Sequence, residues 1–452
     1  MSFPRIRTAI TLLMLLALPW HRHADAYSLL THEQLIDLTW QDSIVPLLLS
    51  HYPNLTSAQL EQARAYAYGG CVIQDIGYYP FGDRSFSNLT HYVRSGDFVV
   101  SLFRNAGNAN ELAFAIGALS HYIGDTIGHP GATNLAVAVA FPKLGAKYGK
   151  RVNYAEGKHE HVQTEFGFDI DEIAHHRVAP VHYLRHIGLQ VSMRQLALAY
   201  YQTYGITANF SGFRKRLFNI RGYRFAVHTF IPRIAYAVTL LHRNHEVSEP
   251  ASDERVQMEK ETDALAVVNN WQKYRRKAGI GTYTLAGVIF LLPKFGPLRL
   301  VAIKDPTEET EAEYLHSVIV SEAALRRRLN GFTPPTAISA SLPIRSGNAL
   351  HPLPNRDLDT GNVVQPGGYP LTDSTYAGLL HHLTQLPDQK IPPGIKIDIQ
   401  AYYANSALPI TTQKNPAAWA QVQADLVKLA GMPTSNEPEP YPTYGDEVAS
   451  SQ

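Results

Sequence analysis

The chain has 452 residues, 45% hydrophobic and 17% charged, a globular composition with length for two or three domains. The formal net charge is +1, and setting aside the first 26 residues leaves −1, a balance that argues against a dedicated nucleic-acid binder but not against an enzyme that cuts nucleic acid. A single cysteine, Cys71, excludes internal disulfides and cysteine-based zinc fingers, so with 20 histidines any metal chemistry must use nitrogen and oxygen ligands.

In chain order, the N-terminus reads as a signal peptide over residues 1–26. Arg5 and Arg7 precede an apolar run from Thr8 to Trp20, too short to span a bilayer comfortably, and Ala24-Asp25-Ala26 fits a cleavage site. The mature chain would begin at Tyr27 and be secreted or periplasmic, with no transmembrane segment. From there to about residue 290 the apolar spacing is helical and period-two alternation is scarce. Helices are expected over His32–Leu49, Ser57–Tyr68, Leu89–Phe103, Glu111–Ile127 (stopped before Pro130), His159–Phe168, Tyr183–Tyr204, Phe213–His242 and Asp253–Lys277. The fold class is all-α. Residues 291–433 read as a less regular C-terminal extension, with helices at Thr307–Leu329, Ser374–Leu386 and Ala417–Leu429 and an irregular stretch at 332–373. Residues 434–452 have a disordered composition.

The densest chemical signal is His121-Tyr-Ile-Gly-Asp125-Thr-Ile-Gly-His129-Pro130. On a helix, His121 and Asp125 share one face a turn apart. His129 lies about 12 Å from His121 along the axis, which suits two different metal ions with Asp125 between them. A second pair, His161 and Glu165, repeats the spacing, with His159 offset to another face. Imidazole with carboxylate favours zinc among common metals. Asp75 lies in a Gly- and aromatic-rich loop, His91 begins the next helix, and His32 sits near the expected mature terminus. Tyr78, Tyr79, Phe81 and Phe86 either line a head-group or base pocket or belong to the core. His175 and His176 read as surface residues, Lys158 and Arg151 as solvated charges, and Asp359-Thr360-Gly361 as a turn.

This order of residues resembles the zinc-dependent phospholipase C family, which shares its fold with the fungal-type single-strand, 3′-nucleotidase-type zinc nucleases. The resemblance is clear over about residues 27–170 and looser to about 280. It implies three zinc ions: one held by Asp75, His91, His121 and Asp125, a second by His129, His161 and Glu165, and a third by the Tyr27 amine and carbonyl, His32 and Asp125. Both branches usually begin with Trp where this chain has Tyr27, and the gap from His129 to His161 is longer than in secreted bacterial phospholipases, which leaves His159 as a substitute for His161. The implied function is hydrolysis of phospholipids to diacylglycerol and phosphorylated head group through a zinc-activated water, with Asp75 accepting its proton. A single-strand nuclease with the same zinc core is the alternative. A non-catalytic, zinc-stabilised membrane-surface interaction protein is a rival of another class.

Overall fold

The computed structural model describes residues 29–78, 82–207, 237, 252–275, 304–330, 353–386, 389–405 and 407–435. The expected signal peptide, Tyr27, all of the expected helix at Phe213–His242 but Ala237, and nearly all of the 434–452 tail lie outside them. The regular elements of the described residues are all helices, with no strand and two isolated bridges, Arg356 with Val363 and Ile391 with Thr434.

Helix α1 (Leu29–Thr39) runs through a π-helical turn (Trp40–Ile44) into α2 (Val45–His51), so the expected His32–Leu49 helix is continuous. Helix α3 (Ser57–Gly70) is capped by Thr56: Gln59 N–H bonds the Thr56 hydroxyl while the Gln59 side chain returns to the Thr56 N–H, a reciprocal capping box. The expected helix at Leu89–Phe103 is two helices, α4 (Arg84–Tyr92) and α5 (Ser95–Arg104). They break at Arg94, whose φ is +47°. A buried ion pair to Asp97, 2.7 Å, holds that left-handed residue in place.

Helix α6 (Ala109–Gly128) is the central rod, buried along almost its whole length. Its middle, Leu112–Leu119, is apolar on every face, and such a stretch of helix must sit inside a protein. It crosses α3 at backbone contact. A Cβ on Gly117 would stand 2.2 Å from the Ala67 carbonyl oxygen, and one on Gly70 would stand 2.0 Å from that of Phe114. Only glycine allows this approach, and it sets the site: His121 lies one turn beyond Gly117, while α3 ends one short turn before Asp75. Helices α7 (Asn134–Ala140), α8 (Pro142–Tyr148) and α9 (Lys158–Ala174) follow, the first two unforeseen by the periodicity. The expected helix at Tyr183–Tyr204 is α10 (Val181–Ile187) and α11 (Met193–Tyr204), parted at Gly188 with φ +83°.

Helices α12 (Asp253–Val268), α13 (Glu308–Asn330), α14 (Pro370–Thr384), α15 (Pro393–Tyr402) and α16 (Pro416–Gly431) complete the described fold. Leu325, Leu358, Tyr376, Ile399 and Leu429 join one buried apolar cluster with Ile36, Phe98, Leu112 and Ile116. A smaller cluster seats α13 through Tyr314, Leu315 and Val318 against Leu35 and Phe168, the Phe168 and Tyr314 rings stacking at 4.3 Å. No helix among the described residues is long and apolar enough to cross a membrane.

Candidate metal centre

Four elements, α6 among them, meet at one place. Helix α1 supplies His32, a 3-10 turn (Gln74–Gly77) supplies Asp75, α4 supplies His91, and α6 itself supplies His121 and Asp125. All five side chains are at most 2% exposed. Asp125 faces three imidazole Nε2 atoms: His121 at 3.1 Å, His32 at 3.4 Å and His91 at 3.5 Å. Asp75 faces the same three, with His91 at 3.1 Å, His121 at 3.7 Å and His32 at 3.9 Å. The His32 and His121 rings stack at 4.2 Å.

The hydrogens on two of these rings can be placed by their partners. His91 Nδ1 donates to the Ser87 carbonyl at 2.7 Å, and His121 Nδ1 donates to the Cys71 carbonyl at 3.0 Å. In the neutral rings both Nε2 atoms then carry lone pairs, and these face one another at 3.5 Å. Two lone pairs at that distance repel unless a proton or a cation lies between them. The separation is close to the ~3.4 Å edge of a tetrahedron of nitrogen ligands about zinc. Neither carboxylate oxygen of Asp75 or Asp125 has a regular hydrogen-bond partner. These donors fit a divalent cation of the zinc type.

A second group lies just beyond. The chain does not stop at Pro130: His129–Thr133 forms a π-helical turn continuing α6, which carries His129 inward at 1% exposure. Such single turns are frequent at functional sites. Helix α9 brings His161 and Glu165, whose Nε2 and Oε1 are 2.8 Å apart, and the His129 and His161 rings stack at 4.9 Å. One ligand atom each from His129, His161 and Glu165 lie within 4.8 Å of one another, as they do in the groups His32–His121–Asp125 and Asp75–His91–His121. His161 takes the place in this group, and His159 is only half-buried. Tyr27 lies outside the described residues.

Burial and charge tune these rings differently. Burial, reinforced by the neighbouring His121, holds His32 down at about 3. Burial does the same to His161, also to about 3, and to His129, which His161 presses further down. Neutral imidazole is the form that binds metal. Burial opposes charge on His91 too, but the Asp125 and Asp75 carboxylates, 3.5 and 3.1 Å from its Nε2, prevail and raise it to about 10. The imidazoles conversely hold the Asp125 carboxyl well below its ordinary value despite burial.

One site residue was missed. Asp359, 2% exposed, accepts hydroxyl hydrogens from Tyr92 at 3.0 Å and from Tyr369, and its Oδ1 is 3.9 Å from His129 Nδ1. Burial pushes its carboxyl up to about 6 against the pull of the Tyr369 hydrogen bond. Asp359-Thr360-Gly361 is a turn as read: Thr360 N–H bonds Asp357 Oδ1 at 2.7 Å, and Gly361 has φ +71°. The turn, however, folds onto the metal centre from more than two hundred residues downstream.

Other candidates fall elsewhere. Phe86 stacks on Tyr200 at 5.0 Å in the core, and Tyr79 and Phe81 lie outside the described residues. Tyr78 stands beside His91, ring centres 5.2 Å apart, and its hydroxyl donates to Asn88 at 3.1 Å. Arg151 is exposed and donates to the Pro130 carbonyl, and Lys158 lies over the Tyr154 ring. His175, with a 39% exposed side chain, pairs with Asp171 at 3.2 Å. Asp171, His175 and Glu311 form a fourth donor group, but Arg177 and Arg255 already neutralise its carboxylates.

One comparison with known proteins covers these residues. Residues 31–212 match the family model described as zinc dependent phospholipase C, a span that holds His32, Asp75, His91, His121, Asp125, His129, His161 and Glu165. Neither the comparison with curated proteins nor that with solved structures finds a match.

Proposed function

We propose that this chain, a zinc-dependent phospholipase C domain over residues 31–212, cleaves the phosphodiester of phospholipids to diacylglycerol and a phosphorylated head group. The observation that carries the reading is the pair of facing Nε2 atoms, His91 and His121, at 3.5 Å between the carboxylates of Asp75 and Asp125. Three ions would be held: by Asp75, His91, His121 and Asp125; by His129, His161 and Glu165; and by the Tyr27 amine and carbonyl, His32 and Asp125. Zinc supplies Lewis acidity, which makes water a nucleophile near neutral pH and neutralises charge on the phosphoryl oxygens. The chain's own groups do the rest. Asp75 accepts the proton of the attacking water, Asp125 joins two of the donor groups, and burial of the described donors, His32, Asp75, His91, His121, Asp125, His129, His161 and Glu165, keeps bulk water from screening them. The near-zero charge of the chain favours phospholipid over a polyanion.

The test is turnover of phosphatidylcholine vesicles against single-stranded DNA, with and without a chelator. Release of phosphorylated head group is expected, falling about a hundredfold or more on chelation and returning with zinc, because Lewis-acid stabilisation is worth several kcal/mol. Cleavage of DNA with phospholipid left intact would make the chain a nuclease of the same zinc chemistry.

Export belongs to the same proposal. While Tyr27 follows Ala26 its nitrogen is an amide, its lone pair delocalised and poorly able to bind metal. Cleavage frees an α-amine of pKa about 7.7–8.0, which loses its proton readily beside a cation. Protein starting at Tyr27 is therefore expected to bind one more zinc, and to turn over faster, than protein with a few residues left before it. Equal zinc and equal rate in both forms would remove Tyr27 from the site.

A further inference from the structure

Two of the buried imidazoles are oriented the same way. His91 and His121 each give their Nδ1–H to a backbone carbonyl, of Ser87 and of Cys71, and each turns Nε2 to the carboxylates. His129 has no carbonyl in that role. Neither of its ring nitrogens has a hydrogen-bond partner, although the residue is 1% exposed. The polar atom that its Nδ1 approaches is Asp359 Oδ1, at 3.9 Å.

Asp359 is built into that position. Its Oδ2 is occupied by the hydroxyls of Tyr92 and Tyr369, which leaves Oδ1 for another donor. Its own carbonyl accepts from Asn134 Nδ2 at 2.9 Å, just past the π-helical turn that carries His129. The preceding Leu358 N–H bonds the His91 carbonyl at 3.1 Å. On the other side Gly361 lies against the end of α6, where a Cβ would stand 2.5 Å from the Thr126 carbonyl oxygen. The turn thus bridges the segments that bear His91, Asp125 and His129.

We propose that Asp359 is a positioning residue of the metal centre: it accepts the Nδ1–H of His129, fixes that tautomer and leaves Nε2 as the nitrogen that binds zinc. A metal-bound imidazole almost always gives its other N–H to such an acceptor, which holds the ring and raises its basicity. The C-terminal part of the chain is then a working piece of the zinc site, although residues 31–212 alone match the family model. This inference rests on the zinc reading above.

The experiment is zinc binding by the full-length mature protein, followed by competition with a chromophoric chelator, for wild type, Asp359→Ala, Asp359→Asn and His161→Ala. Thermal melts of the zinc-free forms accompany it. In Asp359→Ala, one zinc should bind about 10–100-fold more weakly while the others keep their affinity. It should be the zinc missing from His161→Ala, so adding Asp359→Ala to His161→Ala should cost no further ion. Asparagine keeps an acceptor oxygen for His129, and Asp359→Asn should recover most of the lost affinity. Unchanged zinc binding in Asp359→Ala overturns the proposal. So does a loss in Asp359→Asn as large as in Asp359→Ala, which would mark the carboxylate as a ligand itself. Equal weakening of every zinc, with a lowered zinc-free melting temperature, overturns it in favour of a merely structural role. If the wild type lacks the zinc that His161 defines, the zinc reading fails first, and that is seen before any Asp359 variant is compared.

Discussion

Asp125→Ala is expected to lose zinc from both donor groups that its carboxylate joins and to lower turnover by about a thousandfold or more, roughly 4 kcal/mol of transition-state stabilisation. The reason is geometric. Its two oxygens face His32 at 3.4 Å, and His121 and His91 at 3.1 and 3.5 Å. Removing the carboxylate leaves three buried imidazoles crowded around a position with one anion fewer, and a divalent cation there faces a larger desolvation cost. His175→Ala is the control. That side chain is 39% exposed and pairs only locally with Asp171, so zinc content and rate should match wild type. Elemental analysis and head-group release read both outcomes. Full zinc and full rate in Asp125→Ala would end the shared-ligand account.

The largest effect on stability is expected at Arg177→Ala, about 3–5 kcal/mol. Arg177 is 1% exposed and is bound on every side: Nε donates to Glu172 at 2.8 Å, Nη1 donates to Glu311 at 2.9 Å, and Nη2 meets Asp171. Its removal strands Glu172, which is fully buried and keeps only the Gln34 amide, at 2.8 Å. Burial raises the Glu172 pKa above its unfolded value of 4.5, and Arg177 opposes that rise. Without Arg177 the folded pKa climbs further. A raised folded pKa gives stability that is complete below the unfolded value and is lost as pH rises through the folded one. The deficit of the variant should therefore be smaller at pH 5 than at pH 8. Urea melts of zinc-saturated protein measure it. A deficit below about 1 kcal/mol, or one that shrinks as pH rises, contradicts the stranded-charge argument.

The all-α class and the paired side chains were legible because helical spacing is a local rule. His121 with Asp125 and His161 with Glu165 need only 3.6 residues per turn to share a face. The breaks were less legible. Nothing in apolar periodicity announces that Arg94 adopts a left-handed conformation, since the buried pair with Asp97 that supports it exists only after folding. Pro130 reads as a helix stop, yet its missing N–H is tolerated at the start of a π-helical turn, and that turn is what carries His129 inward. Helices α7, α8 and α15 are seven to ten residues long, too short for a periodic signal. Asp359 was illegible for a different reason. Its local chemistry is that of a turn, and its place beside His129 comes from packing of the late chain against α6.

The most direct measurement is anomalous scattering at the zinc absorption edge from crystals of protein beginning at Tyr27. Separate zinc peaks are expected among His32, Asp75, His91, His121 and Asp125 and one between His129, His161 and Glu165, with none at Asp171, His175 and Glu311. No peak at the facing Nε2 atoms of His91 and His121 would contradict the zinc reading.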